Sequence, residues 1–190
     1  MKQRIAIIAV IMLLVGIGGE NIVTAQSTPK EESPGADLRR LVLTTPVEKL
    51  GFAADEDYPA VYGVLAEWDI DGVTATVMSM RDGTASLYTT STFGIIGGQG
   101  HASVRQAAAR YVKLANKFAA TGKPVTEFPY PKGREVFFYL LTYSGILQVT
   151  GDIAAIERES DPTHPLFWAA QDVLTELRLI TEKEDAQPET

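Results

Sequence analysis

The chain has 190 residues, 45% of them hydrophobic, with 17 basic against 24 acidic side chains and no cysteine. A formal charge of −7 at pH 7 repels nucleic acid and anionic lipid. The absence of thiols excludes disulfide staples, thiolate nucleophiles and a cysteine lipid anchor, so stability must come from burial, which this length can supply.

Lys2 and Arg4 precede an unbroken run of apolar residues and glycine over residues 5–17. Gly18, Gly19 and Glu20 end the run, and Val23-Thr24-Ala25 sets small residues before Gln26. This is the anatomy of a secretory signal peptide over residues 1–25, with cleavage after Ala25. At ~1.5 Å per residue the run spans about 20 Å, short of the ~30 Å hydrocarbon core, so a cleaved signal is expected rather than an anchor. Two of the 17 basic and one of the 24 acidic residues precede the cleavage point, which leaves a formal charge of −8. The expected destination is the periplasm or the exterior, without membrane association after cleavage.

Residues 26–37 hold no large apolar side chain and read as a flexible linker. One domain is expected over residues 38–182, followed by a polar, disordered tail over 183–190. Leu41-Val42-Leu43 reads as a short strand or an extended arm. Thr45-Pro46-Val47-Glu48 combines a capping box with proline at the first helical position, which predicts a short helix over 46–50 before Gly51. Asp55, Glu56 and Asp57 could gather a divalent cation, but they lack the alternating ligands and central glycine of a calcium loop and read as a solvated loop.

Three strands follow over residues 61–69, 73–80 and 84–93. Asp71-Gly72 and Asp82-Gly83 are hairpin turns between them, so the three form an antiparallel meander. Ser103 and Gln106 form a capping box for a helix reaching residue 120, with Val104, Ala107, Ala108, Tyr111, Leu114, Ala115 and Phe118 on one face. Residues 123–133 contain Pro124, Pro129 and Pro131 and read as an extended connection. Strands over 136–143 and 146–150 come next, then one or two helical turns over 152–159. Pro165 opens the last helix, whose apolar stripe runs from Leu166 to Ile180. The order βββαββα predicts an α+β fold: a five-stranded antiparallel sheet with two long helices packed on one face.

This order resembles, in topology only, the profilin-like and roadblock-type scaffolds. A second resemblance rests on residues 88–94 (Tyr-Thr-Thr-Ser-Thr-Phe-Gly), Gly97-Gly98, Tyr139-Leu140-Leu141-Thr142 and residues 173–180. On these, residues 41–180 resemble a family of uncharacterised bacterial proteins. That resemblance implies an independent domain and brings no activity.

The one site-like stretch lies between the third strand and the first long helix. Gly94, Gly97, Gly98 and Gly100 let a backbone take positive φ or accept a close neighbour, and amides at a helix start favour anions. The pattern G-x-x-G-G-x-G lacks the Lys-Ser/Thr of a phosphate loop and the third glycine of a dinucleotide fingerprint. Ser91 and its threonine neighbours precede His101, but no G-x-S-x-G elbow frames a nucleophile. The candidate ligand-binding set is Ser91, Gly97, Gly98, Gly100, His101 and Ser103. His101 and His164, even with Asp161, lack metal-ligand spacing, so no metal or cofactor is expected.

The sequence therefore points to an exported, non-enzymatic binding or protein-interaction domain. The alternatives are a small hydrolase using Ser91 with His101 and an anion- or phosphate-binding domain at residues 94–103. One further expectation comes from strand faces. Tyr62, Val64 and Trp68 alternate with Val61 and Leu65, and Phe137, Tyr139 and Leu141 alternate with Val136, Phe138 and Leu140. Two helices cover one face of such a sheet. The arm over 38–52, a second subunit or other protein partner, or a ligand must cover the other.

Overall fold

A computed structural model describes residues 33–91 and 94–185, with side chains to Glu182. The expected signal peptide and its cleavage point lie outside the described residues, as do most of the linker, Thr92, Phe93 and the end of the tail.

The first element is a helix, α1 (Pro34–Thr44). Ser33 caps it, accepting from the Ala36 amide at 3.3 Å, and Pro34 sits at its start, where a missing N–H costs nothing. Asp37 in the first turn complements the helix dipole. The stretch Leu41-Val42-Leu43, expected to be extended, is the last part of this helix. Its three consecutive apolar residues mimic a strand, yet Arg39 and Leu43 share a buried stripe at a four-residue step. Thr45 ends α1 rather than capping the next helix. The single turn α2 (Val47–Leu50) has Pro46 as its cap and Gly51 as its left-handed stop at φ 69°.

The expected meander forms as β1 (Val61–Ile70), β2 (Val73–Met80) and β3 (Ala85–Thr89). Asp71 and Gly72 both take positive φ between the first two, as a tight hairpin turn requires. The third strand stops at Thr89, short of expectation. There the Thr74 amide donates to Thr90 Oγ1 at 2.9 Å, so a side chain replaces the next ladder acceptor. The remaining strands are β4 (Gly94–Ile95), β5 (Lys123–Val125), β6 (Glu135–Thr142) and β7 (Gly145–Asp152). The long helices are α3 (Ala102–Ala115) and α5 (His164–Asp185), with a short α4 (Ile153–Glu157) before the latter.

The fold is α+β, but its sheet has seven strands, not five, in the order β4-β3-β2-β1-β6-β7-β5. The two unforeseen strands are two and three residues long and lie at the edges. Strands so short show no alternation. Glycine in β4 and Pro124 in β5 argue against a strand by composition, although an edge tolerates both. The described pairings are all antiparallel, and β1 is central.

The two sheet faces have different covers. On one, α3 and α5 pack against each other and against the sheet. Trp68 meets Phe167 of α5 edge-on at 5.4 Å. On the other, Tyr62, Leu65, Met78, Tyr88, Phe137, Tyr139 and Leu141 form a core with Leu43 of α1. Leu38, Val42, Val47 and Phe52 close over it, joined by Val125, Phe128, Tyr143 and Ile146. The arm is thus a cover for the second face. Trp68 and Tyr62, expected on one side, lie on opposite sides. The register slips between Val61 and Gly63 where β1 meets β6, and an irregularity of that kind reverses which side a residue faces.

Candidate functional site

The glycine stretch was the leading candidate. Gly94 pairs with Tyr88 inside β4, where a Cβ would lie 3.0 Å from the Leu87 carbonyl oxygen. Gly97 takes φ 95°, the left-handed conformation that the chain needs to turn back towards α3. Gly98 is buried: a Cβ there would lie 2.6 Å from a methyl of Leu177 and 2.8 Å from one of Val104. Its freedom is used to let α5 and α3 close against the turn. Gly100 has open space around it.

The helix entry differs from the expected capping box. A 3-10 turn (Gly98–Gly100) runs straight into α3, with the His101 amide donating to the Gly98 carbonyl at 3.1 Å. His101 is therefore the residue at the cap position, while Ser103 lies exposed inside the first turn. No side chain of the Ser103/Gln106 pair caps the helix. Thr89 Oγ1 and Ser91 Oγ share a hydrogen bond at 2.7 Å.

His164 belongs to a different region. Its Nδ1 lies 2.8 Å from the Ile156 carbonyl oxygen and 3.2 Å from Trp168 Nε1. Asp161 accepts from the amide and hydroxyl of Thr163 and from the Asp152 amide, so it builds the loop that leads into α5. Two of the three acidic residues of the 53–59 loop are used likewise. Asp55 pairs with Arg81 and Asp57 with Lys113. The Arg81 hydrogen bond holds the Asp55 carboxyl below its ordinary range.

The most constrained polar cluster was not foreseen. Glu67, in the middle of the central strand, has 0% exposure and faces the arm side of the sheet. Arg39 of α1, itself 7% exposed, reaches down to it. Its Nε donates to Oε1 at 2.5 Å and a terminal nitrogen donates to Oε2 at 2.8 Å, a two-pronged pair. Thr76 Oγ1 adds a third donor to Glu67 at 2.9 Å. The same Arg39 nitrogen donates to the Phe128 carbonyl at 3.0 Å, and its guanidinium lies 4.1 Å from the centre of the Tyr130 ring. The centre of the Tyr139 ring lies 5.6 Å from the same guanidinium, and the Tyr139 hydroxyl donates to the Pro129 carbonyl at 2.6 Å.

Together these groups make a socket for one guanidinium. A carboxylate forms the floor, carbonyl oxygens of the proline-rich connection form a wall, and two tyrosine rings line it. Burial pushes the Glu67 carboxyl above its ordinary range, against the hydrogen bonds and charge of Arg39 and the Thr76 hydroxyl. Burial also works against charge on Arg39, yet its bonds to Glu67 hold it above its usual value. The pair is matched in charge and hydrogen-bonded, the condition under which buried charges are tolerated. A second clasp secures the exit of the arm. Arg81 donates to the Ala53 carbonyl at 2.5 Å and to the Tyr143 hydroxyl at 2.8 Å, with its guanidinium 4.6 Å from the Tyr58 ring.

Glu67 carried a signal in the sequence. A carboxylate flanked by Leu65, Ala66 and Trp68 in a strand buried on both faces requires a cation from elsewhere in the chain. Nothing in the spacing says that Arg39 supplies it. Among the described residues, no group of three or more His, Asp or Glu side chains could hold a metal ion. Compared with known proteins, the chain matches no family model, no curated protein and no solved structure. The two resemblances drawn from its sequence therefore bring no function to it.

Arg39→Ala should cost about 3–5 kcal/mol, because it leaves a buried charge unpaired. Arg39→Met with Glu67→Leu should cost far less than the sum of the two single changes. Urea unfolding of the three variants measures this; single costs below about 1 kcal/mol that simply add would show that the pair is not coupled. For the glycine turn, Gly98→Ala should cost about 1–3 kcal/mol by overpacking, while Gly100→Ala should be neutral or gain up to about 1 kcal/mol. Equal melting temperatures for these two variants would contradict the packing described at Gly98.

Proposed function

We propose that the protein is an exported, non-enzymatic protein-interaction domain whose working surface is the sheet face beneath the N-terminal arm. The export half of this reading rests on the order of charge, apolar run and small residues over 1–25. The interaction half rests on one observation: a short helix occupies that face through a buried arginine, with apolar residues around it.

This is how proteins recognise helices from other chains. An anchor side chain fills a desolvated pocket, aromatic rings frame it, and surrounding apolar contacts exclude water. Arginine and tyrosine are the residue types that dominate such contacts. Here the anchor is Arg39, the frame is Tyr130 and Tyr139, and the surrounding contacts come from Leu38, Val42 and Leu43. The candidate residues of the glycine turn have local structural work that is consistent with this reading: Gly98 admits two helices, His101 marks the start of α3 and Ser91 shares a hydrogen bond with Thr89.

The mature protein and its His101→Ala and Ser91→Ala variants should turn over nothing in panels of esters, phosphate esters and peptides. Inorganic phosphate should leave the melting temperature unchanged. Turnover by the wild type that His101→Ala abolishes at an unaltered melting temperature would overturn the reading in favour of a hydrolase. A phosphate-dependent rise in melting temperature that is lost in Gly97→Ala would favour the anion site.

A further inference from the structure

The geometry points to an exchangeable arm: in a dimer of this protein, α1 of one copy docks on the sheet of the other and sets its Arg39 in the other copy's Glu67 socket. This rests on the reading of the arm-covered face as the interaction surface, and it names the occupant of that face as the same helix from a second copy.

Three observations carry it. The socket is specific in charge and shape. A carboxylate with 0% exposure lies beneath two carbonyl oxygens and two tyrosine rings. Any occupant must bring a guanidinium on a helix that also presents apolar residues beside it, because an empty socket leaves the charge buried and unpaired. The structure itself displays a helix that meets this requirement, α1, and a second copy brings an identical one.

The arm is joined to the sheet by an exposed segment. Residues 53–57 are all exposed. With Ala53 and Asp55 held in the Arg81 clasp, residues 56–60 fully extended would span about 17 Å between the two molecules. What opening breaks, exchange restores. The Arg39 pair, the Leu43 packing and the Arg81 clasp on Ala53 and Asp55 are the same contacts whether one chain or two supply them.

Finally, the arm is not fully satisfied where it lies. Leu41 is 60% exposed and Leu50 is 36% exposed, two of the four large apolar side chains left in water among the described residues. Both sit on the arm, so a dimer has apolar surface available there that a single chain leaves bare.

The test uses the full mature chain. Two differently tagged wild-type preparations are unfolded together in urea, refolded at high concentration and weighed by native mass spectrometry. Exchange requires mixed dimers carrying both tags, reverting to monomers on dilution as the intramolecular arm wins by effective concentration. Monomers at every concentration would overturn the proposal. Charge reversal then locates the contact. In R39E alone or E67R alone, like charges meet in one chain and in any homodimer. Refolded together, the two variants can form a mixed dimer in which both sockets hold opposite charges. That dimer should exceed those of either variant alone by about tenfold or more, the scale of one close charge pair. Equal dimer in all three samples would place the contact elsewhere and overturn arm exchange. The doubly reversed chain, R39E with E67R, restores the match within one molecule and should behave as wild type. If the reversed variants fail to fold, the tagged wild-type experiment decides. Failure here would leave the substrate-panel result, and so the non-enzymatic reading, untouched.

Discussion

A carboxylate in the centre of a sheet has to be neutralised, and most of what is distinctive here follows from that requirement at Glu67. The central strand carries it at 0% exposure, with neighbouring strands on both sides. Water cannot reach it, so a cation must be delivered through the face itself. Arg39 does this, and its reach fixes where α1 lies and which way it is turned. Leu43, one helical turn further on, then falls on the same apolar surface. The proline-rich connection before β6 is drawn in as well, because its carbonyls at Phe128 and Pro129 take the donors that Glu67 does not.

The two faces of the sheet therefore do different work. The side under α3 and α5 is sealed by long helices that pack on each other, with Trp68 against Phe167 and Gly98 letting Leu177 and Val104 close in. Opening it would mean unfolding the domain. The side under α1 is covered by eleven residues of helix and one further turn, joined through an exposed segment. One buried charged pair, the apolar packing around Leu43 and the Arg81 clasp hold that cover in place. Such an element can open below the free energy of global unfolding, the usual property of segments that bind or switch.

The sequence was legible where patterns are long and repetitive. The three-strand meander and the two long amphipathic helices could be read from period and turn residues. It was illegible where structure is short or where a polar residue sits in an apolar stripe. The edge strands at Gly94-Ile95 and Lys123–Val125 are too brief to alternate. The slip beside Gly63 moved Tyr62 to the opposite face from Trp68, which simple alternation cannot anticipate. The helix at Pro34 was missed: its start at Ser33, Pro34 and Asp37 lies in a stretch that reads as linker, and the run Leu41-Val42-Leu43 reads as a strand or an extended arm. Of the candidate glycine residues, Gly97 has positive φ and Gly98 is tightly enclosed, while Gly100 has open space around it. What those features serve is the joining of strand to helix.

Native-state hydrogen exchange tests the central claim, that the arm is a separately opening cover held on the Glu67 face. Amides of Leu41 to Thr44 in α1 should exchange with a lower free energy and a weaker denaturant dependence than those of β1 and β6, which should exchange only on global unfolding. Amides of α1 that share the free energy and denaturant dependence of β1 would show that the arm is an inseparable part of the core, and the account of a releasable cover would be wrong.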